Sequence, residues 1–280
     1  MRLVLALLLV MVQGTASSQD HVTVANDSLF AQSTHRFMRF RVLLPRGYNN
    51  SDERYVTLYL LHGLTGSYID WTDRTNLVGE AEHYRFLIVM PDAGNSWYAN
   101  APGVKNEAYE DYVIRDLVPF VEAKYRTLST RHGRAIAGLS MGGYGALKFA
   151  LKYPSRFFCA GSFSGTVYMP DREGGRDGLL GESAQHAFGD TSDIRRERND
   201  LFVLAATAPP HTLPYFYLSI GAEDEIAGNV DANRALTALF RERHCSYEYH
   251  EHPGGHNWKT WDTAIAGFLR VVLAQTGNRQ

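Results

Sequence analysis

The chain has 280 residues, 45% of them hydrophobic and 21% charged, with a formal net charge of -2. That is the profile of a globular protein with one large core, and it argues against long disordered or low-complexity tracts. No run of lysine or arginine stands out, so neither nucleic acid nor an anionic lipid surface is expected as a partner.

Residues 1–18 read as a signal peptide. Arg2 precedes an apolar run, Leu3 to Val12, that is too short to span a bilayer, and small residues follow through Gly14-Thr15-Ala16. Cleavage near Ala16 or Ser18 would export the remainder to the periplasm or the exterior. No later segment has the length and apolarity of a membrane span, and residues 19–280 are expected to form a single α/β domain. Two cysteines, Cys159 and Cys245, fall on strands or their edges with a third strand expected between them, so two thiols rather than a disulfide are expected.

Segments 21–30 and 37–44 read as an antiparallel N-terminal hairpin. Residues 55–61, with VTLYLL at their heart, form a continuous apolar run of the kind covered on both faces of a sheet. The run ends in His62-Gly63-Leu64-Thr65-Gly66, a loop whose main chain could donate to an oxyanion. Residues 86–90 (FLIVM) are a second buried strand, and the loop after it offers Trp97 and Tyr98 as walls of a binding pocket. An amphipathic helix over 109–125 carries Glu110, Asp111 and Asp116, which read as a solvated face paired with Arg115.

Residues 134–139 are a short strand and 142–153 a helix ended by Pro154, with Gly138-Leu139-Ser140-Met141-Gly142 at the junction. A Gly-x-Ser-x-Gly string on a strand-to-helix turn lifts the serine hydroxyl clear of the sheet and sets it at a helix N-terminus, where developing negative charge is favoured. The next strand is 157–163. The polar, glycine-rich stretch of about 165–201 reads as a cap-like insert with short helices around 177–188 and 193–201. Strand 215–220, helix 229–244, strand 246–252 and helix 258–275 complete the chain. Regular alternation of strand and helix from residue 55 onward predicts an α/β fold with a mostly parallel, doubly wound sheet.

A serine at its ordinary pKa needs a base to take its proton and a buried carboxylate to hold that base in the right tautomer. The loops after successive strands offer Ser140, then the cluster Glu223-Asp224-Glu225, then His256 behind Gly254-Gly255. Asp224 is the chosen acid, because a short side chain three residues past Gly221 is easier to aim and hold; Glu223 and Glu225 are the alternatives. The backbone N–H groups of Leu64 and Met141 are the expected oxyanion donors. His62 and Trp258 are further candidates to touch substrate, His62 also as an anchor of the oxyanion loop. His250, His252 and His256 could suggest zinc, but no supporting carboxylate or cysteine pattern accompanies them, and neither a metal nor an organic cofactor is expected.

Taken together, LLHGLTG with the following Asp70-Trp71, VMPDAGNSWY, YEDYVIRDLVPFVE, GLSMGGYGAL, IGAED and GGHNWKTW resemble the putative esterase family of the α/β-hydrolases. That family includes S-formylglutathione hydrolases, tributyrin esterases, acetyl-xylan and feruloyl esterases, and mycolyltransferases. The similarity runs from about Arg41 to Leu273 and implies an α/β-hydrolase fold, Ser140 as nucleophile, Asp224 as acid and His256 as base. The expected activity is that of an exported serine esterase acting on a small-molecule or carbohydrate-linked ester of short-chain acyl, acetyl-xylan or feruloyl type. The alternatives are an acyltransferase, a thioesterase like S-formylglutathione hydrolase, and a non-catalytic binding module on the same fold.

Overall fold

The continuous apolar runs of the sequence become strands buried along their whole length, and they set the frame for everything else. The structure, a computed structural model, describes residues 21–168, 178–189 and 198–277. The proposed leader at 1–18 lies outside the described residues. Eight strands among them build one sheet: β1 (Thr23–Ala31), β2 (Arg36–Leu44), β3 (Val56–Leu61), β4 (Phe86–Pro91), β5 (Arg134–Leu139), β6 (Cys159–Phe163), β7 (Tyr215–Gly221) and β8 (Tyr247–His252). Their spatial order is β1-β2-β4-β3-β5-β6-β7-β8. β1 and β2 pair antiparallel, as do β2 and β4, and each pairing from β4 across to β8 is parallel. This is the mostly parallel, doubly wound sheet with an N-terminal hairpin that the pattern predicts.

Alternate side chains of the central strands feed two cores, one on each face. Tyr59 and Leu61 point into a core shared with Tyr144, Leu147 and Phe149 of the helix Met141–Lys152. Leu58 and Leu60 point into the opposite core with Trp71, Phe158 and the residues Ile265, Phe268 and Leu269 of the helix Trp258–Gly277. Cys159 on β6 and Cys245 just before β8 are both buried thiols, and β7 runs between their strands.

Two features depart from the expectation. The helix anticipated over 109–125 is α-helical only at Tyr109–Asp111 and Val118–Lys124, and widens to a π-helix over Tyr112–Leu117. Pro119 supplies the cause: it has no N–H, and in an α-helix its ring would collide with the carbonyl four residues earlier, a conflict that a wider turn relieves. In the insert, a helix spans Gly178–Phe188, and the next one described is Leu201–Thr207, capped by the Asp200 carboxylate on the N–H groups of Phe202 and Val203. The helix expected over 193–201 falls mainly outside the described residues. Among the described residues no helix is long and apolar enough to cross a membrane.

Candidate active site

β5 ends at Leu139 and the helix Met141–Lys152 begins two residues later, so the whole change of direction falls on Ser140, whose φ is 52° and ψ is -118°. A non-glycine residue held there costs about 1–3 kcal/mol, which the surroundings must supply. They do so by tying both of its backbone groups: Ser140 N–H donates to Phe163 O at 2.9 Å and Ser140 O accepts from Tyr144 N–H at 3.0 Å. The glycines on either side are demanded by contact. A Cβ on Gly138 would lie 2.5 Å from the backbone of Gly142, and one on Gly142 would lie 2.6 Å from the carbonyl oxygens of Leu61 and His62.

The loops after β7 and β8 bring Asp224 and His256 to Ser140. His256 Nε2 stands 2.9 Å from Ser140 Oγ, and His256 Nδ1 stands 2.8 Å from Asp224 Oδ2. The Asp224 carboxylate, fully buried, can only accept, so Nδ1 carries the proton and Nε2 faces the serine hydroxyl as an acceptor. Asp224 Oδ1 also accepts from Ile226 N–H at 3.1 Å, which fixes the carboxylate plane.

Glu223 and Glu225, weighed from the sequence as alternative acids, do something else. The Glu223 carboxylate accepts from Gly254 N–H, and Glu225 Oε2 accepts from His256 N–H at 2.5 Å. The hydrogen bond from His256 holds the Glu225 carboxyl below its ordinary value. The acid loop thus clamps the backbone of the histidine loop from both sides of Asp224. A Cβ on Gly255 would lie 2.2 Å from Glu225 Oε1, so any side chain there would push the Glu225 carboxylate from its place. Nothing local in the sequence signals this role, because it depends on the register of two loops on adjacent strands.

The loop after β3 is held from behind. His62 is 1% exposed; Ala93 N–H donates to its Nε2 at 3.0 Å, which leaves the ring proton on Nδ1, 2.7 Å from Gly63 O. Burial pushes the imidazole below its ordinary value, so it is neutral. Its neighbours Thr65 and Gly66 are tied by Thr65 N–H to Asn95 Oδ1 at 2.8 Å and Gly66 N–H to Gly63 O at 3.1 Å. For the Leu64 and Met141 N–H groups no acceptor is found among the described residues.

Ser140 and His256 open onto a cavity of about 390 Å³ that Leu64, Leu180, Trp258 and Trp261 also line. Trp261 packs edge-on against the His256 ring at 5.1 Å and against Trp258 at 5.2 Å, and the Arg74 guanidinium lies 5.5 Å from the Trp258 ring centre. Trp261, Arg74 and Leu180 were missed in the sequence. Trp261 was within reach, since it stands one helical turn from Trp258 and shares its face; Leu180 was hidden in the insert.

Three expectations need correction. Trp97 and Tyr98 do not wall the cavity; both have φ 52° and 0% exposure, because their loop turns inward beneath the helix that follows Ser140. Trp97 Nε1 donates to Ser183 Oγ at 3.0 Å, and Tyr98 Oη donates to His62 O at 3.0 Å. His62, offered both as a substrate contact and as a loop anchor, is likewise absent from the cavity lining and meets the loop through Gly63 O, as the anchor reading has it. Glu110 is not on a solvated face: it is buried against Lys148 Nζ at 3.0 Å and Lys152 Nζ at 2.7 Å, while Asp111 does pair with Arg115 at 3.1 Å. Among the described residues no group of three or more His, Cys, Asp or Glu side chains could hold a metal ion; His250 and His252 instead meet Glu248 and Ser219 at 2.8 and 3.0 Å.

A family model described as "Putative esterase" matches residues 31–271. An acetyl esterase of Caldicellulosiruptor saccharolyticus is 28% identical over 221 residues, which are 76% of this chain and 82% of that protein. Esterase Rv1288 of Mycobacterium tuberculosis is 33% identical over 244 residues, or 77% of this chain, which spans only 51% of that longer relative. Among solved structures, FphF, a fluorophosphonate-binding serine hydrolase of Staphylococcus aureus, superposes with a TM-score of 0.80 at 23% identity, covering 91% of this chain and 99% of that one. At that identity the likeness shows the shared fold.

Two measurements test this geometry. Gly142→Ala should lower the urea midpoint by the equivalent of about 1–3 kcal/mol of overpacking, although alanine favours a helix by up to about 1 kcal/mol; an unchanged or raised midpoint would show that the contact with the Leu61 and His62 carbonyls can relax. His62, with a folded pKa below the unfolded value near 6.5, leaves the unfolded chain to bind the extra proton, so its contribution to stability is full above that pH and lost as the pH falls. In nitrogen-15 spectra at pH 6.0 the His62 ring should still be the neutral Nδ1–H tautomer, and a resonance titrating with a midpoint near 6.5 would contradict the buried arrangement.

Proposed function

The chain belongs to the "Putative esterase" family and is a carboxylesterase-type hydrolase, and on that premise we propose that Ser140, His256 and Asp224 are its catalytic triad. In this reading His256 Nε2 takes the Ser140 proton as Oγ attacks the ester carbonyl, and the Asp224 carboxylate stabilises the imidazolium that forms. The N–H groups of Leu64 and Met141 receive the oxyanion. His256 then gives the proton to the departing alcohol, leaving an acyl-serine; water, deprotonated by the same imidazole, attacks the acyl carbonyl, and the imidazolium returns that proton to Ser140 Oγ as the acid departs. The single observation that carries the reading is the relay of 2.8 and 2.9 Å from Asp224 through His256 to Ser140.

The cavity supports a small acyl group and an alcohol presented from solvent. A volume of about 390 Å³ suits a short acyl or one phenyl ring, and the indoles of Trp258 and Trp261 offer apolar faces beside the ionic groups of Asp70 and Arg74. Flat faces next to hydrogen-bonding groups fit a sugar-linked ester, in keeping with acetyl or feruloyl groups on carbohydrate. With residues 1–18 as a signal peptide, the enzyme would meet such substrates outside the cytoplasm.

Ser140→Ala should abolish turnover of p-nitrophenyl acetate and labelling by a fluorophosphonate while keeping the far-UV circular dichroism of the parent. Asp224→Asn should lower kcat about 10⁴-fold by favouring the wrong His256 tautomer. Retained turnover in Ser140→Ala would refute the assignment. Product analysis with added glycerol or glucose separates hydrolysis, which yields mainly free acid, from acyl transfer, which yields mainly new ester.

A further inference from the structure

Beneath the helix that follows Ser140 lies a charged group that the proposed chemistry does not use. Lys148 is completely buried, two turns along that helix from the serine. Burying an ammonium is strongly unfavourable unless it is paired, and an apolar side chain of similar volume would fill the same space without that penalty. Here the cost is met by Glu110, 3.0 Å away, whose carboxylate also takes Lys152 at 2.7 Å and the Tyr153 hydroxyl at 2.5 Å. Burial brings the Lys148 ammonium down to about 8. The Glu110 carboxyl, which burial alone would raise, is drawn down to about 2 by its two ammonium neighbours, so both groups are ionised at neutral pH.

What Lys148 gains in return is a hydrogen bond to one carbonyl: Nζ donates to Tyr98 O at 2.6 Å. Tyr98 and Trp97 are consecutive non-glycine residues with φ 52°, a strained conformation that the surroundings must hold in place. The Tyr98 side chain then reaches forward, its hydroxyl donating to His62 O at 3.0 Å. That same carbonyl is the one pressed against Gly142 at the turn, and His62 leads directly into Gly63 and Leu64 on the cavity wall.

We propose that Lys148 is a positioning residue for the oxyanion loop: through Tyr98 it fixes the His62 carbonyl, and thereby sets the Leu64 N–H against the N-terminus of the same helix that presents Ser140. One helix would then place both the nucleophile and, by its buried lysine, the loop across from it. The inference rests on the esterase reading only for its kinetic consequence; the mechanical link stands independently.

Lys148→Met keeps the bulk and leaves Glu110 with Lys152 and Tyr153, and Tyr98→Phe removes one oxygen at the other end of the link. In both variants, hydrogen–deuterium exchange of a peptide covering residues 62–66 should quicken at least threefold, while peptides covering 221–225 and 254–258 keep their rates. On p-nitrophenyl acetate kcat should fall about tenfold with KM within twofold, as expected when an oxyanion donor is misplaced and not removed. The double variant should lose no more than about twofold beyond the worse single, because both act along one path. Unchanged exchange at 62–66, or an acceleration spread equally over all three peptides, would overturn the proposal. Should Lys148→Met fail to fold, Lys148→Gln takes its place with the same three peptides, and unchanged exchange at 62–66 in it would likewise overturn the proposal. If the unmodified protein turns over no ester, the functional reading fails and the exchange result still decides this one.

Discussion

The architecture of the site depends on how closely three backbones approach at the end of β5. Gly138, Gly142 and the carbonyls of Leu61 and His62 are packed so tightly that a single methyl group has nowhere to go. That contact forces Ser140 into its strained conformation and holds the helix N-terminus beside the loop after β3. A looser turn would let Ser140 relax into the helix or the strand, and its hydroxyl would withdraw into the sheet. The placing of the Ser140 hydroxyl is therefore a product of packing, and the glycines matter for what they lack.

Around this turn the charged and polar groups divide their work by depth. At the surface of the site, Asp224 is ringed by its neighbours: Glu223 and Glu225 hold the Gly254 and His256 backbone while Asp224 holds the imidazole. The loops after β7 and β8 are consequently tied to each other at three points. Behind the site, neutral His62 satisfies both of its ring nitrogens against the main chain, and the deeper Glu110–Lys148 pair reaches Tyr98. Each layer restrains the one in front of it, which is the usual requirement for a site held rigid enough to favour a transition state.

The sheet, the turn and the three aligned residues were legible in the sequence because each depends on a short-range pattern. Continuous apolar runs mark buried strands, glycines two residues either side of a serine mark the turn, and the order of acid and base follows the order of strands. The illegible parts all depend on long-range neighbours. Trp97 and Tyr98 read as pocket walls because their loop follows a strand, but only the helix packed above shows that the loop folds under. Glu110 sits in a run of polar residues that looks solvated, yet Lys148, almost forty positions later, buries it. Glu225 resembles a spare catalytic acid until the register of β7 and β8 brings His256 N–H onto it.

The cavity draws its walls from two parts of the fold. Leu180 comes from the segment between β6 and β7, whereas Ser140, His256 and the two indoles come from the frame itself. A lineage could lengthen, shorten or recompose that one crossover without disturbing a bond in the Asp224–His256–Ser140 relay. Under the proposed chemistry, one crossover can therefore reshape the lining of the cavity while the hydrogen-bonded frame that holds the hydroxyl stays in place.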